Sequence, residues 1–317
     1  MTLLYLTKRN IKLFFKDKGL FITSLITPLI ILFLYLAFLK DIYLNSFESG
    51  IIEGLISSGM NKEEAMALIN SDAEIRNIIN GVICAQLVSS VLAVSCISIS
   101  FSANLMMVQD KVTGAIKDIS IAPVKKSTIA LSYYLGTFLV ALIICLVTTA
   151  IGLVYMALTN WYLTFSDCLF MVLDVILLVL FGTALSSVVC YPLSTEGQIS
   201  AVTAIISAGY GFICGAYMPI SSFSDTLQKV ILFLPGTYGT SIIRNVTMGG
   251  AFRAMENHNI LKNFVPSMKE SIDCKLYFFD NEVSLTAMHI IVSVSIIALI
   301  LIYIIMTKTN KKRKSVN

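Results

Sequence analysis

Six stretches of the chain lack charged residues and are each long enough to cross a membrane. A membrane-spanning helix needs about 20 mostly apolar residues. The stretches predict six spans, at about 20–39, 81–108, 128–158, 168–190, 198–218 and 285–306. A seventh apolar run, residues 230–243, is shorter and is interrupted by Pro235-Gly236. We interpret this run as a re-entrant or interfacial segment, because it is too short to cross alone.

The segments between the spans also carry helical patterns. Apolar residues recur at helical spacing over residues 1–18, with Lys and Arg mainly on the other side. This favours an amphipathic interfacial helix over a plain basic flank. Asn61 followed by Glu64 resembles a capping box and predicts a short helix within residues 41–80. Region 251–284 mixes charged and apolar residues, as a small folded cap does.

Composition excludes a soluble enzyme and a disordered chain. Of 317 residues, 56% are hydrophobic and 13% are charged. Soluble domains average about 45–50% apolar and about 25% charged residues, so this excess cannot be hidden in one soluble core. The fold class is therefore an all-α integral membrane protein. We predict a single transmembrane domain over residues 1–317.

The distribution of basic residues predicts the orientation. With the N-terminus inside, 14 of the 23 Lys and Arg residues face the cytoplasm, together with four acids. Positive charge is retained on the cytoplasmic side of membrane proteins. We therefore predict that both termini are cytoplasmic and that residues 41–80 and 219–284 are extracellular.

The sequence offers no catalytic machinery. It contains no Gly-Lys pair and hence no Walker A motif, and neither GxSxG nor HExxH occurs. Its two histidines, His258 and His289, lie far apart in sequence, which argues against a histidine metal site. We predict that this chain is not an enzyme and that it holds no metal or cofactor.

Asp174 is the one carboxylate within a predicted span. It lies about six residues into the fourth span, which is about 9 Å deep at 1.5 Å per residue. A membrane carboxylate is costly and often functional, so Asp174 is a possible intramembrane polar site that contacts substrate or carries a proton. The alternative is an acid near the outer end of the span that faces a wet cleft or pairs with a hydroxyl.

Small residues are spaced at four-residue intervals in the fifth predicted span, at Ser207, Gly211 and Gly215. Such a face lets two helices approach closely. We predict a subunit seam and substrate pathway along these residues, where the first and fifth spans of two subunits meet. The alternative is ordinary packing within one subunit.

The loop between the second and third spans is predicted to form a short cytoplasmic helix over residues 110–123. Gly114 breaks the preceding helix, and Pro123 stops the short one. Ala115, Ile116, Ile119 and Ile121 offer an apolar patch, which is suited to a groove in a soluble partner. The alternative is an ordinary basic loop.

This loop resembles the signature of ABC-2 type transporter permeases. The matching residues are Asp110, Lys111, Gly114, Ile116, Ile119 and Pro123. Val112 and Ala115 depart from it, since an acid and a threonine are usual there. A second group of landmarks follows the fifth span, at Gly215, Pro219, Pro235, Gly236, Tyr238 and Arg244. The proline-tryptophan pair that usually lies between these landmarks is absent.

The resemblance implies a bacterial cell-membrane exporter. Two six-span subunits, identical or homologous, would pair, and each would contact an ABC ATPase chain that holds ATP and Mg²⁺. The loop at 110–126 and the N-terminal helix would transmit motion. Pro235, Gly236 and Tyr238 would form an outer re-entrant hairpin.

Family members export drugs, peptides, polysaccharides or lipids, and some confer resistance to drugs or peptides. An apolar pathway would suit an amphipathic or hydrophobic cargo rather than a hydrated ion. Nucleic acid is not an expected partner. The alternative function is a non-transporting sensor or immunity component that binds a peptide.

Overall fold

A computed structural model describes residues 1–279 and 281–313, and most of them are helical. The first helices are α1 (Thr2–Lys16), α2 (Lys18–Leu34), a π-helical turn (Tyr35–Leu39), α3 (Lys40–Ser57), α4 (Lys62–Ser71), α5 (Ala73–Val112), α6 (Ala115–Ile121) and α7 (Lys126–Thr159). The remaining elements are α8 (Phe165–Cys190), α9 (Glu196–Ile213), α10 (Asp225–Ile231), α11 (Pro235–Asn257), α12 (Val265–Ser271), strands β1 (Leu276–Phe278) and β2 (Asn281–Val283), and α13 (Leu285–Arg313). The all-α prediction is confirmed, with one short antiparallel hairpin added.

Five helices within the described residues are long and apolar enough to cross a membrane. They are Lys18–Ser57, Ala73–Val112, Lys126–Thr159, Phe165–Cys190 and Leu285–Thr309. Each of the five contains one predicted span. The helices extend past the predicted limits, because a charged residue ends an apolar stretch without ending a helix. The first span is the clearest case, since helix continues through Lys40 and Asp41 to Ser57.

The fifth predicted span is shorter than expected, because α9 ends at Ile213 rather than near residue 218. Gly215 has a left-handed φ of +73°, which a glycine adopts without strain. The Ala216 N–H then donates to the Gly211 carbonyl at 2.9 Å, and the Gly215 N–H donates to the Phe212 carbonyl at 3.2 Å. This is the Schellman pattern that closes a helix.

Helix α5 forms the centre of the bundle. Every residue from 81 to 104 is buried, and α2, α7, α8, α9 and α11 all contact it. This central position explains why α5 can carry many polar residues within an apolar helix. Asn104, for example, donates from Nδ2 to the hydroxyls of Ser186 and Ser187 at 3.2 and 3.3 Å.

The apolar run at 230–243 is divided between two helices. Helix α10 ends at Ile231, and α11 begins at Pro235, where proline is favoured as a first helical residue. Helix α11 continues to Asn257, past the end of the apolar run at residue 243. Its later residues include Ser, Thr, Gly and Arg, and they remain helical because α5, α8 and α13 pack around them.

The segments outside the spans fold as small helical pieces. Helix α4 confirms the predicted short helix within residues 41–80, and Asn61 precedes it in an extended conformation. The Asn61 side chain makes no capping hydrogen bond, so the predicted capping box does not form. In the segment 251–284, α12 packs near the end of α11, and β1 pairs with β2 through Leu276 and Val283.

We predict that Gly182 is required for close packing of α5 against α8. A Cβ added at Gly182 would lie 2.9 Å from the Cys96 carbonyl oxygen and 2.9 Å from Ser100 Oγ. Gly182→Ala should therefore lower the free energy of unfolding by about 1–3 kcal/mol. Gly50→Ala is the matched control, since nothing lies within 4 Å of its added Cβ. Thermal unfolding of the purified protein in detergent measures both, and equal midpoints would contradict this packing.

Candidate functional site

The ends of several helices meet at one end of the bundle, which we call the basic end because Lys111, Lys117, Lys125 and Lys126 lie there. Helix α5 ends at this point, α6 follows, and α7 begins. Lys111 at the end of α5 contacts the turn after α8. Tyr303 of α13 donates to the Ala130 carbonyl of α7 at 3.3 Å. The basic end therefore joins α5, α6, α7, α8 and α13.

Helix α6 is the short helix that the loop sequence predicted, with narrower bounds. Gly114 separates it from α5 by a left-handed φ of +84°. It ends at Ile121, and Ala122 is extended before Pro123, as residues that precede proline prefer to be. The predicted helix over 110–123 therefore spans Ala115–Ile121, and Asp110 and Lys111 belong to α5 instead.

The four residues of the predicted apolar patch on α6 differ in exposure. Ile116 and Ile119 are half-buried and pack against an apolar cluster of this same chain that includes Met107 and Ile129. Ile116 and Ile119 are therefore only partly available to a partner, and their docking role stays a prediction. Ile121 is 82% exposed, so it is the apolar side chain that α6 presents outward.

Asp110 joins three helices rather than facing outward. Its Oδ2 accepts hydrogen bonds from Arg9 Nη1 at 2.7 Å and from Tyr133 Oη at 2.5 Å. Arg9 lies on α1, Tyr133 on α7 and Asp110 on α5. The hydrogen bond with Asp110 raises the pKa of the Arg9 guanidinium above its ordinary value. The loop prediction missed this contact, because Arg9 is 101 residues away in sequence.

Lys111 is also held within the chain. Its ammonium donates to the carbonyls of Tyr191 and Leu193, the second at 3.3 Å, and lies 4.9 Å from the centroid of the Tyr191 ring. Both carbonyls follow the C-terminus of α8, where backbone acceptors lack helical partners and a cation is favourable. Lys111 thus fixes the corner between α5 and α6 against α8.

A buried ion pair lies on the far side of the molecule, between α11 and the segment after α12. Arg244 is 1% exposed and donates from Nη1 to the Ile272 carbonyl at 2.6 Å and to Asp273 Oδ2 at 3.3 Å. Its Nη2 donates to the Gly215 carbonyl at 2.9 Å. Asp273 Oδ2 also accepts from the Ile220 N–H at 2.8 Å. We call this set, Arg244, Asp273 and their backbone partners, the arginine clamp.

The arginine clamp holds the end of α9 in place. Gly215 closes α9, and the adjacent Ala216 carbonyl accepts a hydrogen bond from Tyr35 Oη at 2.5 Å. Burial raises the pKa of the Asp273 carboxyl to about 6, and the Arg244 guanidinium opposes this shift. Arg244 and Gly215 were landmarks in the sequence, whereas Asp273 belonged to no motif.

The three predicted hairpin residues lie around the break between α10 and α11. Pro235 is the first residue of α11, and Tyr238 donates from Oη to the Leu232 carbonyl at 2.7 Å. A side chain on Gly236 would collide with the hydroxyl of Tyr210 on α9. The break is therefore packed against α9 and requires glycine at this position.

Asp174 pairs with a histidine that sequence reasoning had set aside. Asp174 is buried, and its Oδ1 lies 2.9 Å from Nε2 of His289 on α13. The other ring nitrogen of His289 lies 2.8 Å from the Leu285 carbonyl. Asp174 Oδ2 has no hydrogen-bond partner among the described residues. The partner of Asp174 is therefore an imidazole, whereas one of the alternatives predicted a hydroxyl.

The small residues of the fifth predicted span do not form one helical face. Gly215 lies beyond the end of α9, and a side chain on Gly211 would collide with the ring of Tyr217 in the same chain. The side chain of Ser207 lies outside the described part of the chain. The close contact of Gly211 with Tyr217 thus lies within one subunit, and the subunit seam stays a prediction.

A comparison with known protein families matches residues 75–307 to the model of the ABC-2 family transporter protein. The chain belongs to this family. The match covers α5 to α13 and begins after α4. No curated protein matches the sequence.

Membership makes this ABC-2 protein a multi-pass membrane subunit without catalytic activity of its own, and it implies an ATPase partner. Among the described residues, no group of three or more His, Cys, Asp or Glu side chains could hold a metal ion.

We predict that Arg244 stabilises this ABC-2 protein far more than a surface arginine on the same helix. Arg244→Met would leave a buried carboxylate and two carbonyls without their partner, which should cost about 3–5 kcal/mol. Arg253→Met is the matched control. Arg253 is 47% exposed and pairs with Asp167, so its loss should cost about 0–1 kcal/mol. Thermal unfolding midpoints compare them, and a similar loss in both variants would refute the arginine clamp as a stabilising centre.

We predict that Asp273 makes stability depend on pH between about 4 and 6. The pKa of Asp273 is about 6 in the folded protein, against about 3.9 in an unfolded chain. The folded state therefore holds the proton more tightly, and this contribution to stability is present below pH 4 and lost as pH rises through 6.

Asp273→Asn is the comparison, since asparagine cannot titrate and tolerates the left-handed φ of 58° at this position. The wild-type protein should lose stability relative to this variant as pH rises from 4 to 6, and the difference should then stay constant. Unfolding midpoints across this range measure it. A difference that is flat throughout would show that Asp273 does not titrate there.

Proposed function

We propose that this chain is the permease subunit of an ATP-driven exporter that moves an amphipathic or hydrophobic substrate out across the cell membrane. A separate ATPase chain supplies the energy and binds ATP and Mg²⁺. The observation that carries this proposal is α6, a short helix set between two long ones by Gly114, with Ile121 exposed at its end. An exposed apolar side chain on such a helix is suited to insertion into a groove of a partner.

The orientation that we propose places the basic end in the cytoplasm. Helices α5, α8 and α13 run towards this end, and α7 runs away from it. Helix α9 starts at this end and α13 runs back to it, so the chain that joins them also crosses the membrane. This arrangement supports six crossings with both termini in the cytoplasm. The concentration of lysines at this end supports the orientation. The C-terminus is predicted to be cytoplasmic, and its residues 314–317 lie outside the described residues.

We propose that α10 and α11 form the outer re-entrant hairpin. Two contacts along α11 support it. Gly239 lies next to Leu178, which is 13 residues into α8 and hence about 20 Å from its start. Gly250 lies against the backbone of Tyr162, between α7 and α8. The start of α11 is therefore deep, and its end returns to the outer side. Surrounding helices shelter its backbone, as membrane depth requires.

We propose that motion of the ATPase reaches the spans through Asp110. A displacement of α6 would move the end of α5, to which α6 is directly joined. The hydrogen bonds of Asp110 with Arg9 and Tyr133 would pass this displacement to α1 and α7. Buried charged hydrogen bonds are suited to this role, because breaking them is costly.

A cavity beside α3 and the end of α9 supports the proposed substrate class. Its volume is about 810 Å³, and it lies between Tyr43 and Phe47 on one side and Phe212 and Tyr217 on the other. Its described lining combines aromatic and aliphatic side chains with serine hydroxyls and contains no charged residue. Such a surface suits an uncharged or amphipathic molecule, because a charged group would lose hydration without compensation. We place the second permease subunit along this side, where α2 and α9 expose apolar residues.

We predict that Ile121 is required for binding the ATPase. Ile121→Asp would place a carboxylate in an apolar groove, so it should abolish co-purification of the ATPase and ATP-dependent transport. Ile121→Leu is the control and should retain both. Affinity purification from cells that co-express a candidate ABC ATPase measures binding, and substrate efflux measures transport.

Because Ile121 is exposed, its replacement should not disturb folding. A loss of ATPase binding in Ile121→Asp would therefore reflect the lost contact with the ATPase. Ile116→Asp would be a poor probe, because Ile116 packs against the chain's own core. If Ile121→Asp keeps full ATPase binding and transport, α6 is not the coupling element. If the wild-type chain binds no ATPase and transports nothing, the sensor or immunity alternative is favoured.

A further inference from the structure

A second cavity lies at the basic end of the bundle. It has a volume of about 400 Å³ and is enclosed by the end of α5, by α6, by the start of α7, by residues 191–194 and by α13. It is separate from the exposed side chain of Ile121, which does not line it. The coupling role proposed for α6 therefore leaves this cavity without a function.

The polar groups of this cavity are suited to an anion. Lys111 and Lys126 both line it, together with Ser194. Ser120 and Thr307 also line it, but their hydroxyls donate to the carbonyls of Ile116 and Ile304. The described lining contains no carboxylate. Asp110, the nearest acid in sequence, is not part of the lining and is already bound by Arg9 and Tyr133. Two lysines thus line the cavity without a countercharge in the described lining.

Both lysines are placed to bind oxygen atoms. An ammonium group has three donors, and Lys111 uses two of them on the carbonyls of Tyr191 and Leu193. One donor of Lys111 remains for a ligand. Lys126 is exposed and is the first residue of α7, where the unpaired backbone N–H groups of a long helix favour negative charge.

The rest of the lining is apolar, and it continues into the membrane-facing surface. Ile129 and Ala130 line the cavity from α7, and the next residue, Leu131, is 45% exposed. Tyr303 lines it from α13, and the next residue, Ile304, is 41% exposed. The exposed apolar residues beside the cavity are suited to hydrocarbon chains.

From this combination we propose that the cavity binds the phosphate headgroup of an anionic phospholipid. Lys126 and the third donor of Lys111 bind the phosphate oxygens, and the acyl chains lie along α7 and α13. Basic cavities between transmembrane helices are suited to anionic headgroups. The cavity exceeds the size of one phosphate group, and its apolar lining favours a lipid over free phosphate. The assignment to the inner leaflet rests on the proposed orientation, but the binding itself does not.

The experiment is a lipid titration of the purified full chain in detergent, followed by native mass spectrometry. The probes are phosphatidylglycerol, which is anionic, and phosphatidylcholine, which is zwitterionic. We expect tighter binding of phosphatidylglycerol. Lys126→Gln should weaken that binding about fivefold, since one basic residue near an anionic lipid surface contributes about that much.

Lys125→Gln is the matched control. Lys125 is the preceding residue, is exposed at the same end and does not line the cavity, so its loss removes the same charge without touching the site. We expect it to bind phosphatidylglycerol like the wild-type chain. Equal weakening in the Lys125 and Lys126 variants would overturn the proposal, because binding would then reflect general charge attraction.

Two further arms separate the sources of the ligand. Inorganic phosphate at the same concentration should not displace phosphatidylglycerol, and full displacement would overturn the assignment to a lipid. If Lys126→Gln instead abolishes ATPase binding and leaves lipid binding unchanged, the cavity belongs to the protein partner and the proposal fails. Lipid binding is measured without the ATPase and without transport. A failure of the proposed exporter function would therefore not change the interpretation of the lipid-binding result.

Discussion

The enclosure of α5 by its neighbours is the constraint on which the rest of the structure depends. A helix in lipid satisfies its own backbone, but its polar side chains are costly to expose to hydrocarbon and are therefore covered by other helices. Helix α5 carries serines, Gln86 and Asn104 and is surrounded by α2, α7, α8, α9 and α11. Those helices must approach closely, and Gly182 provides the necessary space on α8. The arrangement of the bundle follows from covering this one helix.

Buried charged residues fix both ends of this arrangement. Asp110 joins α1 and α7 to the end of α5, and Arg244 joins the end of α9 to the segment after α12. In each case a charge that lacks water gains several directed hydrogen bonds. Such groups specify one geometry, because any other arrangement leaves a buried charge without partners. They make the helix ends rigid reference points for the moving parts of a transporter.

The two cavities differ in the chemistry that the surrounding helices leave exposed. The larger one is lined by aromatic side chains and hydroxyls without a charged residue among its described lining, whereas the smaller one contains Lys111 and Lys126. The first suits molecules that avoid water, and the second suits anions at the membrane boundary. One chain thus presents two cavities of different chemistry, which we propose serve a transported molecule and an anionic lipid.

The sequence by itself determined the helical class, the position of the long apolar helices and the short helix between the second and third of them. These features depend on composition, on uncharged length and on Gly114 and Pro123, all of which act locally. It did not determine where helices end, because Lys40 and Asp41 end an apolar stretch without interrupting the helix.

Only the tertiary structure decided the partners of the polar residues. Asp110 with Arg9, Arg244 with Asp273 and Asp174 with His289 are pairs whose members lie 101, 29 and 115 residues apart. Ile116, Ile119 and Ile121 belonged to one apolar patch in the sequence, yet packing partly buried the first two and left Ile121 exposed. Long-range packing sets such contacts, and no local spacing encodes them.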